Sequence, residues 1–296
     1  MQRNFNNDMK TRRFLLLFLI LVTFTACTKP VSYGNAEIHI SYTANGNPLV
    51  MDSLCYTNMA GNQYLVTEIQ WFISKITLVG EQGDENELGK VFYIDTNIPE
   101  SQTLATASIP CKKYIAMRFT FGLDKEDNVT GAFPNPPESN MFWPDPLGGG
   151  YHYMKLNGRY LDENGNLAPM NIHLGIGQNE DHTVFYQNYF TVELPLDLTL
   201  QENVPNVINL DMNLDNWFCD PHIYDITAFG SAIMQNQEAQ ETLKENGHNV
   251  FSIKTNNDMK SPLKTTSELL RKAAPKPHFM TWENIKNTLS NIKESL

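Results

Sequence analysis

Residues 124 to 150 contain Pro134, Pro136, Pro137, Pro144 and Pro146 and close with Gly148-Gly149-Gly150. Proline removes a backbone donor and fixes φ, and glycine offers no side chain to pack. No central strand or helix can cross such a stretch. The chain must leave its regular framework here and return to it. Long irregular segments inside a compact domain often carry function.

The sequence on either side reads as short strands. Ala36, Ile38, Ile40 and Tyr42 alternate with Glu37, His39 and Ser41, the period of a half-buried strand, and Asn45-Gly46-Asn47-Pro48 ends it as a turn. Leu65 to Val79, rich in β-branched and aromatic residues, predicts a long or bent strand. Gly80 to Gly89 is acidic and loop-like. Val91–Ile94 and Tyr114–Phe121 predict strands, the latter with Ile115, Met117, Phe119 and Phe121 on one face. Tyr151–Leu156, Ile172–Ile176, Thr183–Val192 and Val207–Met212 continue the pattern, with Asp162-Glu163-Asn164-Gly165 as a hairpin turn. The first clear helix is expected late, capped by Ser231 and stopped by Gly247. The fold class is mostly β, an antiparallel β-sandwich-like domain with long Pro/Gly-rich loops and a few late helices.

The ends of the chain differ from this body. Lys10, Arg12 and Arg13 precede an apolar run, Phe14 to Val22, too short to span a bilayer comfortably. Phe24-Thr25-Ala26-Cys27 follows, small residues before a cysteine in the manner of a bacterial lipobox. The expected organisation is a lipoprotein signal peptide over 1–26, lipidation at Cys27 and a tether over 27–34. A β domain follows over 35–253, then a basic polar linker over 254–280. A terminal amphipathic helix over 281–296 has Trp282, Ile285, Leu289, Ile292 and Leu296 three and four residues apart. An ordinary signal peptide with an incidental cysteine is the alternative at one end. At the other, the apolar stripe docks either on its own domain or on a partner. The expected location is the cell envelope, anchored by lipid to the outer membrane and facing the periplasm.

The whole chain has 22 basic and 33 acidic residues, net −11. Four of the basic residues and one acid precede residue 27, so the rest carries −14. That charge argues against nucleic acid as a partner. Cys55, Cys111 and Cys219 could supply one disulfide and one thiol in an oxidising compartment. No P-loop, dinucleotide fingerprint, nucleophile elbow, HExxH or zinc-finger pattern is present. Asp124-Lys125-Glu126-Asp127-Asn128 lacks the glycine and distal glutamate of an EF-hand and reads as an acidic solvated turn.

The histidines point further. His152 lies between Tyr151 and Tyr153 just after the glycine run, and His173 lies in Asn171-Ile172-His173-Leu174-Gly175. Alternation places His152 with Met154 on one face and His173 with Gly175 on one face. Glycine beside a histidine leaves room for an exogenous atom. Two imidazoles from neighbouring strands, with a softer or aromatic third ligand, suit copper. A plain hydrogen-bonding role inside the sandwich is the alternative. His39, on the polar face of its strand, is a spare ligand candidate, and His222 is another.

Several segments occur in the order found in one family. They are Thr67-Glu68-Ile69-Gln70-Trp71-Phe72-Ile73-Ser74-Lys75-Ile76, Arg118-Phe119-Thr120-Phe121-Gly122-Leu123-Asp124 and Met141-Phe142-Trp143-Pro144. Gly150-Tyr151-His152-Tyr153-Met154-Lys155-Leu156-Asn157-Gly158, His173-Leu174-Gly175 and Met212-Asn213-Leu214-Asp215-Asn216-Trp217-Phe218 follow. Over about residues 35 to 253 the chain resembles the MbnP family, methanobactin-associated and MopE/CorA-like periplasmic copper-binding proteins. Its lipobox and acidic body are similar to the Bacteroidetes-type lipoprotein branch. The resemblance implies a mostly β fold and a mononuclear copper site of two histidines. It also implies a tryptophan oxidised to kynurenine by a di-haem cytochrome c peroxidase-type partner. It assigns His173 as the best-matched imidazole, His152 to the glycine-tyrosine segment and Trp143 as the modifiable aromatic. Pro144 and Asp145 stand where the methanotroph pattern continues to a second tryptophan, and Gly177-Gln178-Asn179 where a cysteine can follow.

The function expected is that of a lipid-anchored copper store, scavenger or delivery factor without turnover. The competing reading is a glycan- or protein-binding lipoprotein that stacks its ligand on Trp143, Phe142, Tyr151 and Tyr153.

Overall fold

The 18 residues from Gln63 to Gly80 form the strand around which the rest is arranged, and the computed structural model describes residues 30–181 and 183–254. The expected signal peptide, Cys27 and the next two tether residues, the linker beyond Lys254 and the terminal helix lie outside the described residues. The main strands are β1 (Ala36–Ala44), β2 (Gln63–Gly80), β3 (Glu85–Asp95), β4 (Lys113–Phe121) and β5 (Met154–Leu161). They continue as β6 (Leu167–Leu174), β7 (Phe190–Thr199), β8 (Asn206–Asn213) and β9 (Phe251–Lys254).

One sheet has the order β6-β5-β2-β4-β7, with β3 and the short Tyr56–Thr57 strand also on β2. The second has the order β9-β8-β1, with Asn47–Pro48 and Thr103–Ala105 along β1. Aromatic side chains fill the space between them. Trp71 and Phe121 stack at 5.7 Å, Phe251 packs against both, and Trp71 Nε1 donates to the Tyr42 hydroxyl across the sandwich. Each such ring pair adds about 0.5–1.5 kcal/mol beyond its buried area.

Strand β2 changes partner midway. Residues 64–71 pair with β5, and residues 73–80 pair with β4. At the switch, Phe72 donates its N–H to Tyr153 and accepts at its C=O from Gly122. Both groups of an extended residue project to one side, so β4 and β5 abut end to end on the same edge of β2. The Pro/Gly-rich segment is therefore a loop that leaves and re-enters at one point. It holds short 3₁₀ turns at Glu138–Met141 and Asp145–Leu147 but no strand or α-helix. Gly148, Gly149 and Gly150 take φ of 115°, 69° and 80°, which only glycine adopts cheaply in succession.

The mostly β, sandwich-like fold matches the expectation, and β2 is the long strand the sequence predicts. Four details differ. β1 and β8 run parallel over eight residue pairs, because about 170 residues separate them and no hairpin joins them. The acidic stretch after Gly80 is loop only to Asp84. Glu85 begins β3, and Arg118 holds Glu85 at 2.5 Å and Glu193 at 2.7 Å, neutralising acids from two neighbours. The predicted strand over 183–192 is a Phe185–Tyr186 bridge strand followed by β7.

The helix capped by Ser231 is the fourth. Ser231 instead accepts from Asn171 N–H, and Ala232 bridges to Asn171 beside β6. The short helices α1 (Leu214–Trp217) and α2 (Ile226–Phe229) come earlier, and α3 spans Gln237–Gly247. The cap of α3 is Asn236, whose side chain accepts from Ala239 N–H. Cys55, Cys111 and Cys219 are free thiols.

Candidate functional site

The register of the first sheet sets up a polar face. Lys155 lies opposite His173 on one side and Gln70 on the other, and Gln70 opposite Asp95. One step along, Asn157 lies between Asn171 and Glu68. The intervening Leu156, Ile172 and Ile69 are buried in the core. Period-two alternation thus leaves His173, Lys155, Asn157 and Glu68 together on the other face.

His152 joins them by a bend. The backbone turns at Tyr153 before β5 begins at Met154. Met154 enters the core, and His152 swings to the His173 side instead of following Met154, as simple alternation predicts. The His152 and His173 rings meet edge to face at 5.0 Å, and Trp143 meets His152 edge to face at 4.7 Å. Trp143, His152 and His173 form one continuous stack.

Each member is fixed from outside. Trp143 is fully buried and donates Nε1–H to the Leu147 carbonyl at 3.0 Å. A Cβ on Gly175 would lie 2.6 Å from Cε3 and Cζ3 of Trp143. The space beside His173 is therefore filled by indole, which corrects the expectation of a vacancy there for an exogenous atom. His152 lies 2.9 Å through Nδ1 from the Met141 carbonyl, which also accepts its backbone N–H at 2.6 Å. A carbonyl only accepts, so Nδ1 carries the proton and Nε2 the lone pair. That Nε2 is buried and has no hydrogen-bond partner. His173 Nε2 lies 2.9 Å from Asn157 Oδ1.

Both rings are neutral at physiological pH. Burial is the main cause for His152, opposed by the Met141 carbonyl and reinforced by His173 and Lys155, and lowers it to about 3. Burial, then Lys155, lowers His173 to about 4. Lys155 Nζ donates to the Asn140 carbonyl at 2.5 Å, next to the residue that anchors His152. Two neutral imidazoles in contact, one with an orphaned lone pair, are chemically a nitrogen donor pair for a soft or borderline cation. A buried polar atom without a partner is costly. Among the described residues, no three His, Cys, Asp or Glu side chains converge as a metal site.

The other sequence candidates fall elsewhere. His39 pairs with Glu37 at 3.2 Å on the second sheet and lines an open concavity of about 600 Å³ with Asp197, Thr199 and Asn209. His222 pairs with Glu245 at 2.5 Å. Asp124 caps its own turn, accepting from Glu126 and Asp127 N–H, and pairs with Lys75. Of the proposed aromatic platform, Trp143, Tyr151 and Tyr153 are buried and only Phe142 is exposed, at 44%. A four-ring stacking platform for a glycan is ruled out by the burial of three of its members. Sequence reasoning missed the Met141 carbonyl, Lys155, Asn157 and Glu68. The Lys-x-Asn spacing after His152 was the available signal, since it places both on one face of the strand.

The sequence profile of the MbnP family matches residues 33–239. The solved structure of MbnP from Methylosinus trichosporium is similar, with 15% identity and a TM-score of 0.46 over 66% of this chain and 80% of that one. No curated protein matches the chain.

Proposed function

The chain belongs to the MbnP family, and from that premise we propose that it binds a single copper ion, as Cu(I), between His152 and His173. One observation carries this reading. His152 Nε2 is a buried lone pair with no partner, and its ring meets a second neutral imidazole, His173, edge to face at 5.0 Å. Cu(I) accepts two nitrogen donors, whereas structural Zn²⁺ takes four ligands and Ca²⁺ six or more oxygens. The Lys155 ammonium, close enough to depress both histidines, disfavours a divalent ion more than a monovalent one. The ion would supply a soft Lewis-acid and one-electron centre. The chain's own residues hold the two rings neutral, in fixed tautomers and shielded from water.

The protein is a copper carrier or store without turnover, lipid-anchored at Cys27 in the outer membrane and facing the periplasm. The charged leader, short apolar run and lipobox support that placement. Trp143, in contact with His152, is the aromatic available for oxidation to kynurenine by a di-haem partner, a change that intact mass would reveal. The decisive experiment is Cu(I) and Cu(II) titration of the purified protein. About one tightly held equivalent of Cu(I), lost in His152→Ala and in His173→Ala but retained in His39→Ala, supports the site. A folded protein that holds no copper above background refutes it.

A further inference from the structure

The His173 ring makes one hydrogen bond, from Nε2 to Asn157 Oδ1 at 2.9 Å. An asparagine can present either end of its amide, and what lies behind Asn157 decides which. Its Nδ2 donates to Glu68 Oε2 at 2.9 Å, and the other carboxylate oxygen of Glu68 accepts from Asn97 Nδ2 at 2.8 Å. An ionised carboxylate is acceptor-only. Glu68 therefore demands the NH₂ end of Asn157, which turns Oδ1 toward His173. The amide oxygen in turn demands a proton on Nε2, and the neutral imidazole keeps its lone pair on Nδ1. Strand register brings the three together, since Glu68 lies opposite Asn157 of β5 and His173 of β6, opposite Lys155, is the diagonal neighbour of Asn157 on the same face.

We propose that Glu68, acting through Asn157, is a positioning residue that selects Nδ1 of His173 as the nitrogen offered to the metal. The two histidines are thereby set in opposite tautomers: His152 presents Nε2 because a backbone carbonyl holds its Nδ1–H, and His173 presents Nδ1 because a side-chain relay holds its Nε2–H. This inference rests on the copper reading for its function. The tautomers themselves are properties of the metal-free protein, so the two can fail separately.

The test is two-bond ¹H–¹⁵N correlation spectroscopy of the metal-free protein at neutral pH, which distinguishes protonated from lone-pair ring nitrogens. Wild type should show His173 as the Nε2–H form and His152 as the Nδ1–H form. In Glu68→Gln the amide pair can rotate in concert, and the Nδ1–H form of His173 should become populated. Asn157→Asp, which keeps an acceptor facing the ring, should retain the Nε2–H form. Cu(I) affinity should fall about tenfold to a hundredfold in Glu68→Gln. An Nδ1–H His173 in wild type, or Glu68→Gln spectra indistinguishable from wild type, would overturn the proposal. If the wild-type tautomers are as stated and added Cu(I) leaves both rings unchanged, the relay stands and the copper reading falls.

Discussion

Metal-free protein should lose stability on mild acidification, and the two stacked histidines should account for much of the loss. Each takes up a proton near its ordinary value of 6.5 once the chain is unfolded, but in the folded state only near 3 for His152 and near 4 for His173. Above about pH 6.5 both states are neutral and the contribution is fully present. Between pH 6.5 and the folded values, unfolding takes up a proton at each ring, and stability falls by ~1.4 kcal/mol per pH unit per histidine. From pH 8 to pH 5 the pair should therefore remove about 4 kcal/mol, a large part of the 5–15 kcal/mol typical of a domain. Urea unfolding at pH 8 and pH 5 measures this directly. Comparing wild type with His152→Leu cancels the acid sensitivity of the many carboxylates. The variant should lose about 2 kcal/mol less than wild type over that interval. At pH 8 it should be nearly as stable as wild type, since it also removes the unpartnered Nε2, a group costing about 1–3 kcal/mol. An equal loss in both proteins would refute the burial argument and with it the neutral imidazole pair.

Gly175→Ala should destabilise by about 1–3 kcal/mol, read as a lower thermal midpoint with altered tryptophan fluorescence, because the new methyl group meets the Trp143 ring at 2.6 Å. Asn246→Ala should cost about 1–3 kcal/mol in urea titration. Its buried amide donates to the Trp217 and His222 carbonyls and accepts from His222 N–H, leaving three backbone groups unpartnered when removed. Lys155→Met should raise Zn²⁺ affinity by about the square of the factor by which it raises Cu(I) affinity, because the repulsion from the ammonium scales with the charge of the ion. Competition titration with a chromogenic chelator reads the difference.

The strands were legible where one face is buried and one is wet. Ala36 to Tyr42 alternates because β1 packs Ile38 and Ile40 into the core while Glu37 and His39 face outward. The irregular loop was legible for the opposite reason, since proline and glycine forbid pairing whatever the context. Glu85 and Glu87 misled because their charges read as loop, and Arg118 across the sheet, which holds Glu85, is invisible from local sequence. Ser231 misled because accepting the Asn171 N–H on a distant strand edge was a better use of its carbonyl than a helix start. At the site, His152, His173 and Trp143 were nameable, but their stacking was not. It depends on a bend at Tyr153 and on Gly175 making way for indole, both consequences of tertiary packing. Glu68 lay inside a recognised segment, yet its role follows only from register.

The meeting of β4 and β5 at Phe72 has a consequence for how this protein can vary. Residues 122 and 153 are held by the N–H and C=O of one amino acid, so the segment between them is in polymer terms a ring already closed by the framework. Doubling the length of such a ring costs only ~0.6 kcal/mol of closure entropy. Insertions, deletions or wholesale replacement within it leave the strand ends where they are. Inside the ring the freedom is unevenly distributed, because Met141 and Trp143 are the two places where it grips the histidines. A graft that kept those two and discarded the prolines between Asp127 and Glu138 would inherit the same grip on His152 under a different outer surface.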